Sequence, residues 1–300
     1  MNNIDGWINI YKNKDITSFD VIRKIKKNFK ISKIGHAGTL DPNAEGILPI
    51  ALGKNTKLIP LISDQRKIYE FEIKWGEQTT TDDHKGEILD ISNNIPTKKT
   101  IYENKKFFIG EILQKPPKVS AVKINGERAY KRFMKDENFE TREKKVTVFK
   151  LNLLSQPKKN ISKMLIECSK GFYVRSFARD FGEFLNTKAH IFSLKRTKVG
   201  NFTEKNSILL DDLLKMRQMA IGIKGFHSSL SVLDDIPAFE IDDRKMLKDI
   251  SYGKKVKVDL LFKTTLTKKN HQEYLATFKG QVISLGALEG NFFQPRKVLI

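Results

Sequence analysis

Asp41 stands in the stretch Gly35-His36-Ala37-Gly38-Thr39-Leu40-Asp41-Pro42, whose residue types suit the display of one acid better than they suit a regular element. Gly35 and Gly38 permit tight or left-handed turns around His36. Pro42 disfavours the helical region for the residue before it, so the Asp41 carboxylate is held on a stiffened segment that no helix absorbs. The chain then enters residues 47–52, an apolar run that must be buried. A polar loop pinned to a buried segment is how a rigid scaffold presents a reactive group. Two other readings compete. Asp-Pro is a common turn starter, which leaves Asp41 equally well explained as a structural residue. The glycines and lysines of the stretch suggest a phosphate cradle, but GxxxxGK[ST] is absent, since Asn55 follows Lys54 where Ser or Thr is required.

The whole run GHAGTLDPNAEGILPIALGKNTK, residues 35–57, resembles the signature of the TruB-type family of tRNA pseudouridine-55 synthases, which reads GHxGxLDPxAxGxLPxxxGxxTK. A second run, SKGFYVRSFARDFG at 169–182, is similar to another signature of that family, and the resemblance covers most of residues 1–225. It implies that Asp41 is the catalytic aspartate, that Arg175 pairs with it, and that Tyr69 stacks on the target base. It also implies substrate contacts at Tyr173, Leu194 and Lys12, and a prop for the disturbed RNA at His36. At Lys12 the chain departs from the family's Lys-Pro-x-Gly turn, with Asn13 for the proline and Asp15 for the glycine. The expected substrate is a uridine in the T-arm of tRNA, flipped out of its loop and converted to pseudouridine without a cofactor or metal.

The elements that must position these residues follow from pattern. Residues 6–11 read as a short strand, and Thr17 with Asp20 approximates a capping box before the helical stripe Phe19, Val21, Ile22, Ile25 and Phe29. Tyr69, Phe71, Ile73 and Trp75 alternate with charged residues as one face of a strand, and on that pattern alone Tyr69 is a core aromatic. Asp82, Asp83 and His84 are adjacent residues that do not converge readily on one ion, so a metal site is not expected there. Residues 87–91 read as a strand and 98–108 as a helix; 146–154 and 162–168 read as paired strands. Ahead of those strands, residues 115–145 interleave basic and acidic residues with Tyr130, Phe133 and Phe139, which suggests an extended arm or a solvated hairpin and helix. Arg175 falls in the first turn of a helix with Val174, Phe177, Ala178, Phe181 and Leu185 on its buried side. The helix dipole disfavours a cation there by roughly 0.3–1 kcal/mol, so a carboxylate partner is called for.

The formal charge of +20, from 55 Lys and Arg against 35 Asp and Glu, implies a polyanionic partner. No apolar run reaches the roughly 18–20 residues of a membrane span, and the amino terminus lacks the charged start and apolar core of a signal peptide. Cys168 is the single cysteine, in keeping with a reducing cytoplasm. Length and composition suggest two domains. Residues 1–228 are expected to form an α/β (α+β) catalytic domain on a mixed, largely antiparallel sheet, with an RNA-gripping insertion at about 114–145. Residues 229–300, with short strands expected at 254–258, 274–278, 281–288 and 298–300, weakly resemble a PUA-like RNA-binding domain. A monomer with no obligate protein partner is expected. The rival readings are a non-catalytic RNA-binding or tRNA-folding protein, and a pseudouridine synthase acting on other RNA.

Overall fold

The computed structural model describes residues 4–216, 222–258 and 273–300. Their main element is an 11-stranded sheet whose principal path runs Ile208–Leu209, Gly6–Lys12, Glu45–Leu52, Ala189–Val199, Lys67–Trp75, Ile161–Cys168, Lys144–Lys158, Gly110–Gln114. Only Gly6–Lys12 with Ile208–Leu209 and Ala189–Val199 with Glu45–Leu52 pair in parallel, so the sheet is mixed and largely antiparallel. The second parallel pair is confined to Lys195 opposite Glu45 and Arg196 opposite Gly46. There the backbones approach closely: a Cβ on Gly46, whose φ is +110°, would lie 2.1 Å from the Arg196 carbonyl oxygen. No residue with a side chain fits.

Period-two alternation places Phe71, Ile73 and Trp75 on one buried face of Lys67–Trp75. The helix Val174–Phe184 covers it, with Phe177 edge-on to Phe71 at 5.8 Å and Phe181 edge-on to Trp75 at 5.7 Å. Each such buried aromatic contributes about 1.5–3 kcal/mol of transfer free energy. Trp75 also needs a partner for its indole N–H, and it donates to the Ser162 hydroxyl at 2.9 Å. On the other side of the active region, helix Ser18–Phe29 buries Val21, Ile25 and Phe29 among Ile8, Ile10, Leu48 and Ile50. Thr17 caps this helix by accepting from the Asp20 N–H. Leu40 belongs to the same core, which anchors the loop of Asp41 from below.

Several expectations need revision. Residues 98–108 form a helix Lys98–Asn104 followed by a tighter 3-10 turn, Lys105–Phe108. Of the two readings of 115–145, by contrast, the hairpin and helix is the one observed: Lys123–Ile124 pairs with Glu127–Arg128, and Ala129–Phe133 is helical. Toward the carboxy terminus the last strand is Phe292–Val298 and not 298–300. Pro295 lies within that strand, opposite Gly286 beside a register shift, and a bulge is where a strand tolerates proline. That strand belongs to a 5-stranded sheet ordered Ala238–Glu240, Tyr274–Phe278, Gln281–Glu289, Phe292–Val298, Val256–Lys257. The chain leaves the large sheet at His227, and Leu275, Leu285 and Leu299 of the smaller unit pack with Trp7, Ile47 and Phe202.

Candidate active site

Every peptide carbonyl from Gly38 to Pro42 is held. Arg196, which is buried, donates from Nη2 to Gly38 at 3.0 Å and from Nη1 to Thr39 at 3.3 Å, and its Nε reaches the Ile47 carbonyl at 2.7 Å. The Ser18 hydroxyl donates to the Leu40 carbonyl at 3.0 Å and accepts from the Leu40 N–H at 2.9 Å. The Asp41 carbonyl accepts from Ala44, and that of Pro42 from Asp15 N–H at 2.8 Å and Lys12 Nζ at 3.2 Å. A buried backbone group without a partner is costly, and here the partners also remove the loop's freedom.

Lys12 therefore has a different part from the one expected. It is 0% exposed, and its ammonium donates to the carbonyls of Asn13, Ile16 and Pro42, so it positions the loop and does not reach a substrate. Burial pushes its pKa down to about 8, against the attraction of Asp41. The turn at Asp15, which departs from the family's glycine, keeps a left-handed φ of 61°.

Onto this loop Arg175 closes from the start of the helix Val174–Phe184. Its Nε lies 2.9 Å from Asp41 Oδ2 and its Nη2 3.2 Å from Oδ1, a two-point contact. The cation disfavoured in a first helical turn has the carboxylate it called for. Nη1 also donates to the Thr81 carbonyl and Nη2 to that of Val119, each at 3.0 Å. Arg175 is buried at 6% side-chain exposure, while Asp41 keeps 32%. The acid thus has a fixed inner side and an open outer one.

The open side faces a cavity of about 340 Å³ lined in part by Asp41, Tyr69, Tyr173, Arg175 and Leu194. Small-molecule sites start at roughly this size. Tyr69, partly buried, has its pKa raised by burial, opposed by the Arg196 guanidinium, so it remains a phenol at neutral pH. Tyr173 caps the helix, and its backbone N–H and C=O are both engaged by the Gln114 amide, at 2.7 and 2.9 Å. His36 does not line the cavity. It lies in the short strand Ile34–His36, its buried Nδ1 without a partner and its pKa lowered by burial and by Arg196.

Arg196, Lys67 and Gln114 carry much of this geometry and were not singled out in the sequence. Lys67 lines the cavity, donates to the Ser63 and Gln65 carbonyls, and has its pKa lowered to about 8 by burial and by Arg196. The one available signal was a cation at position 67, at the head of the face that Tyr69, Phe71, Ile73 and Trp75 share by period-two spacing. Asp82 and Asp83 are committed to cations: Asp82 pairs with Arg179 at 2.8 Å, and Asp83 lies 4.0 Å from Arg175. Among the described residues no cluster of three His, Cys, Asp or Glu is placed to hold a metal ion.

A large mixed sheet thus carries an acid and a guanidinium that meet over a central cavity. A chain of an H/ACA RNP bound to a substrate RNA containing 2′-deoxyuridine superposes with a TM-score of 0.73 at 20% identity, covering 98% of this chain and 85% of that one. A chain of a Cbf5-Nop10-Gar1 complex does so with a TM-score of 0.73 at 23% identity and the same coverage. At such identities the likeness is one of fold. Sequence goes further. Residues 26–174 match the model of the TruB family pseudouridylate synthase N-terminal domain, and 175–223 match that of the tRNA pseudouridylate synthase B C-terminal domain. The chain is 38% identical to tRNA pseudouridine synthase B of Agrobacterium fabrum, over 98% of its own length and 94% of that protein. It is 36% identical to the protein of that name from Rickettsia bellii, over 97% of each. The chain belongs to the TruB family of pseudouridylate synthases.

Proposed function

We propose that this protein converts uridine to pseudouridine at position 55 in the T-arm of tRNA. The reaction breaks the bond from N1 to C1′, turns the uracil, joins C5 to C1′, and moves the C5 proton to solvent while N1 gains one. It is an isomerisation with no net redox change, and the chain's own groups suffice for it. The observation that carries the reading is the two-point Asp41–Arg175 contact opening onto a cavity walled by Tyr69, Tyr173 and Leu194. In this reading Asp41 acts on the reacting nucleoside, Arg175 orients it, and Tyr69 stacks on the flipped base. Tyr173 and Leu194 enclose that base, and His36, a neutral imidazole beside the Asp41 loop, props the RNA that the base has left. Flipping costs a few kcal/mol, which the charge of +20 helps to supply through phosphate contacts.

The segment 114–145 and the smaller sheet within residues 229–300, a PUA-like unit in this reading, grip the remainder of the tRNA. The protein acts as a monomer in the cytoplasm, where its buried Cys168 thiol stays reduced. Among the described residues no helix is long and apolar enough to cross a membrane. The test is a T-arm stem-loop carrying a C5-tritiated target uridine. Wild type should release the label and Asp41→Asn should slow release by at least about 10³-fold, at the upper end of what one positioned acid or base supplies. RNA affinity should change less than about threefold, because the acid contributes little to phosphate binding. Label release by Asp41→Asn at the wild-type rate would remove the assignment, and no release by the wild type would favour a binding protein.

A further inference from the structure

Ser120 lies where the 115–145 segment passes the cavity, and nothing above uses its side chain. It is 5% exposed, it lines the cavity with Tyr173 and Arg175, and its hydroxyl oxygen is buried without a hydrogen-bond partner. The Tyr173 phenol is near enough for the serine to favour its ionised form, but no bond of ordinary length and angle joins them. The Ser120 N–H and the carbonyls of Val119, Ser120 and Ala121 are all engaged. Ser120 N–H donates to Lys118 at 3.1 Å, and its carbonyl accepts from Tyr130 N–H at 3.0 Å. The Val119 carbonyl takes Arg175 Nη2, and the Ala121 carbonyl takes Arg128 at 2.6 Å. The same Nη2 that binds Asp41 therefore fixes where the serine sits. Its side chain is the group left over, and water reaches it poorly.

Resting on the functional reading above, we propose that the Ser120 hydroxyl is a substrate contact that hydrogen-bonds an oxygen of the flipped uridine, either a base carbonyl or the ribose 2′-hydroxyl. A serine hydroxyl donates one bond and accepts two, so both sources fit. The bond forms only when the nucleotide enters, which turns an unsatisfied group into a reader of the correct occupant. A site built around such a group discriminates against analogues that leave it unpaired.

Ser120→Ala in the full chain should raise the Kd for the T-arm stem-loop, and lower kcat/KM, by about 3- to 10-fold, the range of one neutral hydrogen bond. Its thermal midpoint should be unchanged or higher, because the variant deletes an unpaired buried group and breaks no bond. Kd is then measured for both proteins on stem-loops carrying 2′-deoxyuridine, 2-thiouridine or 4-thiouridine at the target, so that an analogue that is not turned over still reports. The ratio of variant to wild-type Kd should fall to about 1 for the analogue lacking the partner oxygen and persist for the other two. Wild-type kcat/KM in Ser120→Ala would overturn the proposal. So would a ratio undiminished on all three analogues, or a drop in thermal midpoint, which marks a structural role. Failure of the wild type to modify the unsubstituted stem-loop would instead strike the functional reading.

Discussion

Arg175→Lys keeps the charge and removes the fork, so it separates what the guanidinium does by geometry from what it does by charge. The native side chain makes two bonds to Asp41 at 2.9 and 3.2 Å and one each to the carbonyls of Thr81 and Val119 at 3.0 Å. These acceptors come from three separate segments. An ammonium offers three N–H groups from one point and cannot span them all. At 6% side-chain exposure, water does not replace what is lost. One charge-assisted bond at about 1.5–3 kcal/mol and one or two stranded carbonyls at about 1 kcal/mol each give a destabilisation of roughly 3–5 kcal/mol. At about 2–4 °C per kcal/mol for a chain of this size, the thermal midpoint should fall by roughly 6–20 °C. Catalysis should suffer through orientation, because Asp41, one third exposed, would be free to swing, and a misplacement of about 1 Å costs on the order of 100-fold. Single-turnover pseudouridine formation should slow by about that factor, while the Kd for RNA should stay within about threefold because the side chain points inward. Arg175→Lys combined with Asp41→Asn should be no slower than Asp41→Asn alone, since the arginine acts through the acid. Single-turnover rates within threefold of wild type for Arg175→Lys would refute the reasoning.

Two further outcomes follow from buried charges. Asp82 has its pKa raised to about 6 by burial, with Arg179 and Arg175 opposing. Between about pH 4 and 6 the folded state holds a proton that the unfolded chain has released, so stability falls as pH rises through that window, by on the order of 3 kcal/mol for a shift near two units. Urea midpoints across pH 4.5–7.5 should show this slope flattened in Asp82→Asn, with a residue left by Asp180, whose pKa burial also raises; parallel curves would dismiss the account. Lys12→Met takes the ammonium from three carbonyls, of which Pro42 keeps the Asp15 N–H, and should cost about 2 kcal/mol and lower kcat. The salt dependence of RNA binding should be unchanged, whereas loss of a phosphate contact would shallow the slope of log K against log salt by about 0.7–0.9.

Legibility in the sequence divided along a physical line. The strand of Tyr69 and the helix of Arg175 showed themselves through periods of 2 and 3.6, because burial of one face writes itself into local spacing. Asp41 and Arg175 were linked by a family signature, while the cost of a cation in a first helical turn called only for some carboxylate. Pattern failed where a residue's partner is backbone. Lys12, Lys67, Gln114 and Arg196 bond to main-chain atoms, and a carbonyl has no letter in the sequence. The same holds for Pro295, whose tolerance depends on a bulge in its own strand, where Arg296 is the extra residue. Residues 259–272, inside the expected carboxy-terminal unit, lie outside the described residues.

The blind spot explains why an acid with only one bidentate side-chain partner can be well placed. Arg196 reaches across 158 residues to Gly38, Ser18 across 22 to Leu40, and Lys12 across 30 to Pro42. Each tie spans a different pair of elements, so the Asp41 loop is correct only when the helix Ser18–Phe29, the strand Gly6–Lys12 and the strand Ala189–Val199 are all docked. Stiffness of that kind is set by the fold as a whole. Loosening any one tie should lower kcat before it lowers RNA affinity, because the phosphate-binding surface does not depend on the direction in which one carboxylate points.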